Sequence, residues 1–261
     1  MTASDWISAR SNVARRLHYQ DQKTEMDPIL ISAASGMKSR MESLDMLANN
    51  IANTATPGFK ADREFYTLYR QELPLVENHW TDFSQGVMLP TGNPLNLALS
   101  GKGFFALNGA TGTVYTRNGN FQVSKSNQLE TPDGFTMRNT LDQGRPIKVD
   151  PAQEIVIAKD GTVSQAGQTV GRIEVAEIPS AADAVSKMGT SYFAMVSGSG
   201  TAQPAASTEI MQGQLEQSNV PVADSAVRLV SVMRQFEMLQ KAMTLDAQMS
   251  KEAIQEVARV S

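Results

Sequence analysis

The side chains able to catalyse a reaction or hold a metal ion are few and scattered. His18 and His79 are the only histidines, and cysteine is absent. Those counts leave no disulfide, no thiolate site and too little material for a histidine-based triad or zinc centre. Glu130, Asp133, Asp142 and Glu154 are carboxylates of the kind that flank a glycosidic bond, but nothing in their spacing selects two to face each other across a cleft. Trp6, Trp80, Phe104, Phe105 and Tyr115 could stack on sugars, although aromatic residues in short strands more often build core. Asp133-Gly134 and Asp160-Gly161-Thr162 lack the further carboxylates of a calcium loop and read as hairpin turns. Gly198-Ser199-Gly200 reads as a linker fragment, and no phosphate-loop, dinucleotide, zinc-protease or nucleophile-elbow pattern occurs. We therefore expect no enzyme, no metal, no cofactor and no small-molecule substrate. A net charge of −4, from 23 basic and 27 acidic side chains, argues against nucleic acid as a partner.

What remains chemically unusual is a trio of amides. Asn49, Asn50 and Asn53 fall within five residues, and asparagine is a poor choice for a helix interior. They read either as fraying before a helix stop or as amides that bond across a packed interface. The element carrying them begins sharply, with Asp27 as a cap and Pro28 in the first helical position. From there Leu30, Ala34, Met37, Met41, Leu44, Ala48 and Ile51 alternate in steps of four and three, the repeat of a coiled-coil seam. Thr54-Ala55-Thr56-Pro57-Gly58 ends it. Residues 1–25 are polar and aperiodic, and are expected to be a disordered extension or a start-site artefact, with translation beginning at Met26. A basic arm using Arg10, Arg15 and Arg16 is the functional alternative, diluted by Asp5, Asp21 and Glu25.

Residues 59–94 read as an irregular linker, with a short extended piece at Glu64–Tyr69. From 95 to 214 the texture is β. Short apolar runs at 103–107, 113–116, 121–123, 155–157, 173–176 and 192–196 alternate with turn dipeptides such as Asn108-Gly109 and Asn118-Gly119. The pattern predicts a compact antiparallel domain, with 197–207 as a flexible loop. Helical texture returns in 215–261, where Val222, Ala226, Leu229, Met233, Phe236, Leu239 and Met243 form one seam. Met238, Ala242, Leu245 and Met249 open a second stripe, which predicts a partner from another chain. The expected class is α+β: long N- and C-terminal helices packed as a coiled coil, with a central antiparallel β-rich domain. No apolar run is long enough to span a membrane, and the N-terminus lacks the basic-then-apolar pattern of a cleaved signal peptide.

The run Leu47-Ala48-Asn49-Asn50-Ile51-Ala52-Asn53-Thr54-Ala55-Thr56-Pro57-Gly58-Phe59-Lys60 resembles the N-terminal signature of the bacterial flagellar rod and hook proteins. Gly213-Gln214-Leu215-Glu216-Gln217-Ser218-Asn219-Val220 resembles that family's approach to its last helix, with Arg234, Phe236-Glu237, Lys241, Asp246 and Met249 at its usual positions. Asn93–Leu99, Gly101–Phe105 and Tyr115–Phe121 are similar to its central segments, although Asn96 stands where aspartate is common and Asp224-Ser225 where glutamate is usual. The resemblance implies a subunit of the flagellar basal body that assembles helically into a periplasmic tube, its terminal helices inside and its β domain outside. Its partners would be copies of itself, other rod proteins and, during export without a cleaved signal, the flagellar type III apparatus. The residues so implied in subunit assembly are the N-terminal seam, Asn49, Asn50, Asn53, Gly58 and Phe59, then Leu215, Glu216, Ser218, Asn219, Val220, Leu229, Met233, Arg234, Phe236, Glu237, Lys241 and Met249. Length, the single β insert and the Thr-Pro-Gly-Phe form resemble the proximal-rod members most closely, and the distal-rod members next. A cell-wall-binding β module with dimerising helices is the rival reading.

Overall fold

The computed structural model describes residues 28–66, 76–110, 112–198 and 200–260. The expectations for 1–25, for a start at Met26 and for residues 67–75 lie outside the described residues. Helix α1 spans Pro28–Ala52. Its end is tied by backbone bonds from Asn53 to Asn49 (3.1 Å) and from Thr54 to Ile51 (3.3 Å). After the short α2 (Ala181–Ala184), the chain ends in α3, Val222–Val260. Its 39 residues span about 58 Å at 1.5 Å per residue. Asp224 in its first turn and Arg259 in its last complement the helix dipole. Among the described residues, no helix is long and apolar enough to cross a membrane.

The chain divides into two units. The larger takes in 45–65 and 78–229 and holds the β structure. Its strands are β1 (Asp62–Tyr66), β2 (Val76–Thr81), β3 (Met88–Pro90), β4 (Leu97–Ser100), β5 (Phe104–Gly109), β6 (Gly112–Thr116), β7 (Gln122–Val123), β8 (Leu129–Glu130), β9 (Thr136–Met137), β10 (Ile155–Ile157), β11 (Thr162–Gln165), β12 (Gln168–Arg172), β13 (Val175–Glu177), β14 (Val185–Met188), β15 (Tyr192–Met195), β16 (Gln203–Pro204), β17 (Glu209–Gln212) and β18 (Gln214–Glu216). The main sheet runs β14-β15-β6-β5-β9-β8-β7, with β13 joining β5 to β16. Alternation sorts its two faces. Phe105, Leu107 and Met137 enter one core with Leu97, Ile147, Val163 and Ile210, whereas Phe104, Ala106 and Phe193 enter another. Strands β10, β11 and β12 form a separate antiparallel meander. The Asn108-Gly109, Asp133-Gly134 and Asp160-Gly161 turns join paired strands as expected.

Three local readings change. The expected irregular linker contains β1, β2 and β3, because β1 pairs with β2 and β3 pairs with β18. Part of the expected 197–207 loop is β16, held on Ala176 and Glu177. Asn118-Gly119 closes no hairpin; the Gly119 carbonyl instead accepts the Leu97 N–H at 2.9 Å.

The smaller unit contains 28–44 of α1 and 230–260 of α3. Here α1 turns a different face inward from its apolar seam. Ser39 and Ser43 are buried, and a Cβ placed on Gly36 would sit 3.5 Å from Leu239 Cδ1. Of the expected seam, Ala34, Met41 and Ala48 are exposed and Met37, Leu44 and Ile51 half-buried; the side chain of Leu30 is outside the described residues. The seam is thus only partly covered within its own chain. The inner face is small and polar, which lets a neighbouring backbone come close. On α3, Leu229, Val232, Phe236, Leu239, Met243 and Asp246 are buried or half-buried in alternating three and four steps. Met238, Ala242, Leu245 and Met249 remain exposed, as does Val227 about three turns earlier on the same face.

Candidate assembly site where the chain ends meet

Inside the larger unit the segment leaving α1 crosses the segment approaching α3. The Gly58 N–H donates to the Glu216 carbonyl at 2.8 Å. Gly58 has φ +68°, and a Cβ there would lie 2.3 Å from the Arg117 carbonyl carbon. Glycine is needed both for the left-handed backbone and for the approach. Phe59, Ala61 and Val220 form a small apolar cluster beside the crossing, with Phe59 fully buried.

The crossing is built around one carboxylate. Glu216 Oε1 accepts from Lys60 Nζ at 2.6 Å and from the Gly86 N–H at 2.9 Å. Glu216 Oε2 accepts from Arg117 Nη1 at 3.1 Å. Lys60 Nζ also donates to the Ser84 carbonyl at 2.6 Å, and Arg117 Nη2 to that of Gly101 at 2.7 Å. Lys60 and Glu216 have no exposed side-chain surface, and Arg117 has 4%. Burial pulls both the Lys60 ammonium and the Arg117 guanidinium below their usual ranges, against the opposing pull of Glu216. Such a cluster contributes little net stability over an apolar one, but breaking it strands a charge. It ties three remote segments to one register.

Amides complete the joint. The Asn219 side chain accepts from the Ala61 N–H at 2.8 Å and donates to the Asp82 carbonyl at 2.7 Å. Asn50 brackets β1 in the same way, donating to the Asp62 carbonyl (2.8 Å) and accepting from its N–H (3.0 Å). Lys187 reaches in from β14, donating to the Lys60 carbonyl at 2.8 Å and to Asp62 Oδ2 at 2.7 Å, with its ammonium 4.3 Å from the Phe59 ring centre. Asn53 accepts from Thr56 Oγ1 at 3.1 Å while donating to the Asn49 carbonyl at 2.9 Å.

The structure thus brings Asn50, Gly58, Phe59, Glu216, Asn219 and Val220 together, and gives each a contact inside its own chain. Ser218 accepts from the Val220 N–H (3.3 Å), and Leu215 pairs with Leu89 across β18 and β3. Asn49 is exposed and the Asn53 side chain makes a local turn contact. Met233, Arg234, Glu237, Lys241 and Met249 are exposed on α3, with Leu229 and Phe236 half-buried. Sequence reasoning missed Lys60, Arg117, Asp62 and Lys187 as members of the joint. Lys60 and Arg117 stood inside the quoted motifs, but a partner 156 or 99 residues away leaves no local trace. The carboxylates first considered for chemistry do not converge. Asp133 accepts from the Tyr192 hydroxyl at 2.5 Å, and Asp142 lies 3.9 Å from Arg145. Among the described residues no cluster of three metal-ligating side chains occurs.

Residues 30–60 match the family model described as flagella basal body rod protein, and 211–256 that of the flagellar basal body rod FlgEFG protein C-terminal region. Residues 98–165 match the flagellar hook protein FlgE/F/G D1 domain. The flagellar basal-body rod protein FlgF of Caulobacter vibrioides is 30% identical over 250 residues, covering 90% of this chain and 100% of its own. The chain belongs to the flagellar basal-body rod protein family. FlgF of Salmonella typhimurium is also 30% identical, over 84% of this chain and 94% of its own. FlgG of Bacillus subtilis is 29% identical over 86% and 97%. This rod-family chain is a structural subunit type rather than a member of an enzyme class. The first and third matched regions meet at the Gly58–Glu216 crossing.

Proposed function

We propose that this chain is a proximal, FlgF-like rod subunit that polymerises helically through coiled-coil contacts of its terminal helices, forming part of a periplasmic shaft that transmits torque. The observation that carries this reading is the placement of apolar side chains. Met41 is 52% exposed, Met238 61%, Leu245 58% and Met249 61%. Two outward stripes on different helices favour a heterologous contact between copies, and repeated heterologous contacts give an open helical array. The seam residues Ala34, Met37, Met41, Leu44 and Ala48 would meet the Met238–Met249 stripe of a neighbour, or the corresponding faces of other rod proteins. The crossing around Glu216 would act indirectly, by fixing how both helices leave the β unit. Export through the type III apparatus belongs to the same reading, as does a distal, FlgG-like place as its alternative, since relatives of both names match to similar extents.

The test is a paired substitution, Met41→Glu with Leu245→Glu. Polymerisation in sedimentation and swimming in complemented cells are expected to be lost, with far-ultraviolet circular dichroism unchanged. Wild-type swimming would reject the reading. Cross-linking to neighbours in purified basal bodies separates the proximal from the distal place.

A further inference from the structure

An apolar knob and an apolar pocket lie apart on the β unit. The knob is Leu141, 64% exposed at the tip of a single 3-10 turn, Thr140–Asp142. Its backbone is held: Asn139 Oδ1 accepts from the Leu141 N–H (3.0 Å) and from the Arg172 N–H (2.9 Å), and the Arg145 N–H donates to the Asp142 carbonyl at 2.9 Å. A large aliphatic side chain on so fixed a turn is costly to leave in water. The pocket, about 410 Å³, is walled by Trp80, Phe83, Phe104, Ile178 and Ala181. Phe83, Phe104 and Phe193 pack edge to face with centroids 5.1–5.7 Å apart, which gives it a rigid floor. Trp80 remains 40% exposed.

Each of the two carries an acid and a base at its surface, so reciprocal pairing is open to a second copy. Asp142 and Arg145 flank the knob, 54% and 75% exposed, and sit 3.9 Å apart, at the limit of an ion pair. Lys102 and Glu177 stand in the pocket lining. The knob cannot enter its own pocket. Asn139 bridges Ile173, and from Ile173 to Ile178 the chain advances about 16 Å at 3.3 Å per residue.

We infer that Leu141 of one copy seats in the Trp80–Phe104–Ile178 pocket of a second copy, with Asp142 facing Lys102 and Arg145 facing Glu177. This lateral contact between β units is separate from the helix stripes, although it rests on the reading that copies stand side by side. A knob and pocket at different places on one surface again propagate instead of closing.

The absence of cysteine makes the test direct. The purified full-length double variant Thr140→Cys/Ala182→Cys, which keeps Leu141, is compared under mild oxidation with Val156→Cys/Ala182→Cys, in which the control site is 52% exposed. The first pair is expected to form intermolecular disulfides about tenfold faster, as burial of one leucine side chain allows. Adding Asp142→Lys should bring its rate down to the control, and adding Lys102→Glu to that should restore it. Leu245→Glu should leave the rate unchanged, so that failure of helix-driven polymerisation is read apart from failure of the knob. Equal rates in the two pairs, or charge reversals without effect, overturn the inference.

Discussion

The crossing at Glu216 and the long helices solve opposite problems. At the crossing, charged and amide groups are paired inside the chain, although Arg117 Nε is buried without a hydrogen-bond partner, and Lys60, Phe59 and Glu216 have no exposed surface. Along the helices, α1 buries Ser39 and Ser43 within the chain while Met41 stays outside, and α3 leaves Met238, Leu245 and Met249 in water. The inner helix face also has unsatisfied atoms, since Ser43 Oγ and Gln235 Oε1 are buried without a hydrogen-bond partner. The contrast teaches that the first region closes on contacts within one polypeptide, whereas the second leaves an apolar stripe uncovered within it.

The sharpest way to break this contrast is at Gly58. Gly58→Val should abolish the folded β unit, because the side chain would meet the Arg117–Asn118 backbone and the left-handed φ disfavours a branched residue; loss of near-ultraviolet circular dichroism checks it. Next comes Glu216→Ala, which strands two buried cations and should cost about 3–5 kcal/mol in urea unfolding. Exchanging the whole cluster for Lys60→Met, Arg117→Met and Glu216→Leu should recover much of that loss. Asn219→Ala removes the acceptor for Ala61 and the donor to Asp82, at about 1–2 kcal/mol.

A smaller effect is expected from acid. Partial burial pushes the Asp82 carboxyl up, but bonds from Ser84 and Arg63 outweigh it and hold the group below the ordinary carboxylate value. Its contribution is therefore present above that ordinary value and lost as pH falls through the lower folded one. Arg63→Ala should flatten the loss of stability between about pH 5 and 2 in a urea series. The smallest effect on the lone chain should come from Met41→Glu or Leu245→Glu, within about 0.5 kcal/mol, because those positions already face water. A cost of several kcal/mol there would erase the distinction between the two regions.

Both long helices were legible in the sequence because heptad spacing is local, and so were the hairpins, because their turn residues sit beside the strands they join. Which helix face turns inward was not legible. A seam of Met, Leu and Ala announces that some apolar partner is wanted, without saying whose, while Gly36, Ser39 and Ser43 carry no hydrophobic signal at all. Strand β1 showed only in part, as the extended piece expected at Glu64–Tyr69, and β2 hid, because Asp62–Tyr66 and Val76–Thr81 mix charged and aromatic residues. They are strands because each finds the other as a pairing edge. The motif residues around Glu216 were recognised as a group, but their role inside the chain depends on three segments that only folding brings together.

The Gly58–Glu216 bond means that everything between these two residues departs and returns through one narrow doorway. Those parts of it that do not brace the posts, as Arg117, Gly86, Ser84 and Lys187 do, can grow, shrink or be recontoured without moving them. A single pair of helical ends could thus carry inserts of many sizes, as long as the doorposts keep their glycine, their carboxylate and these braces.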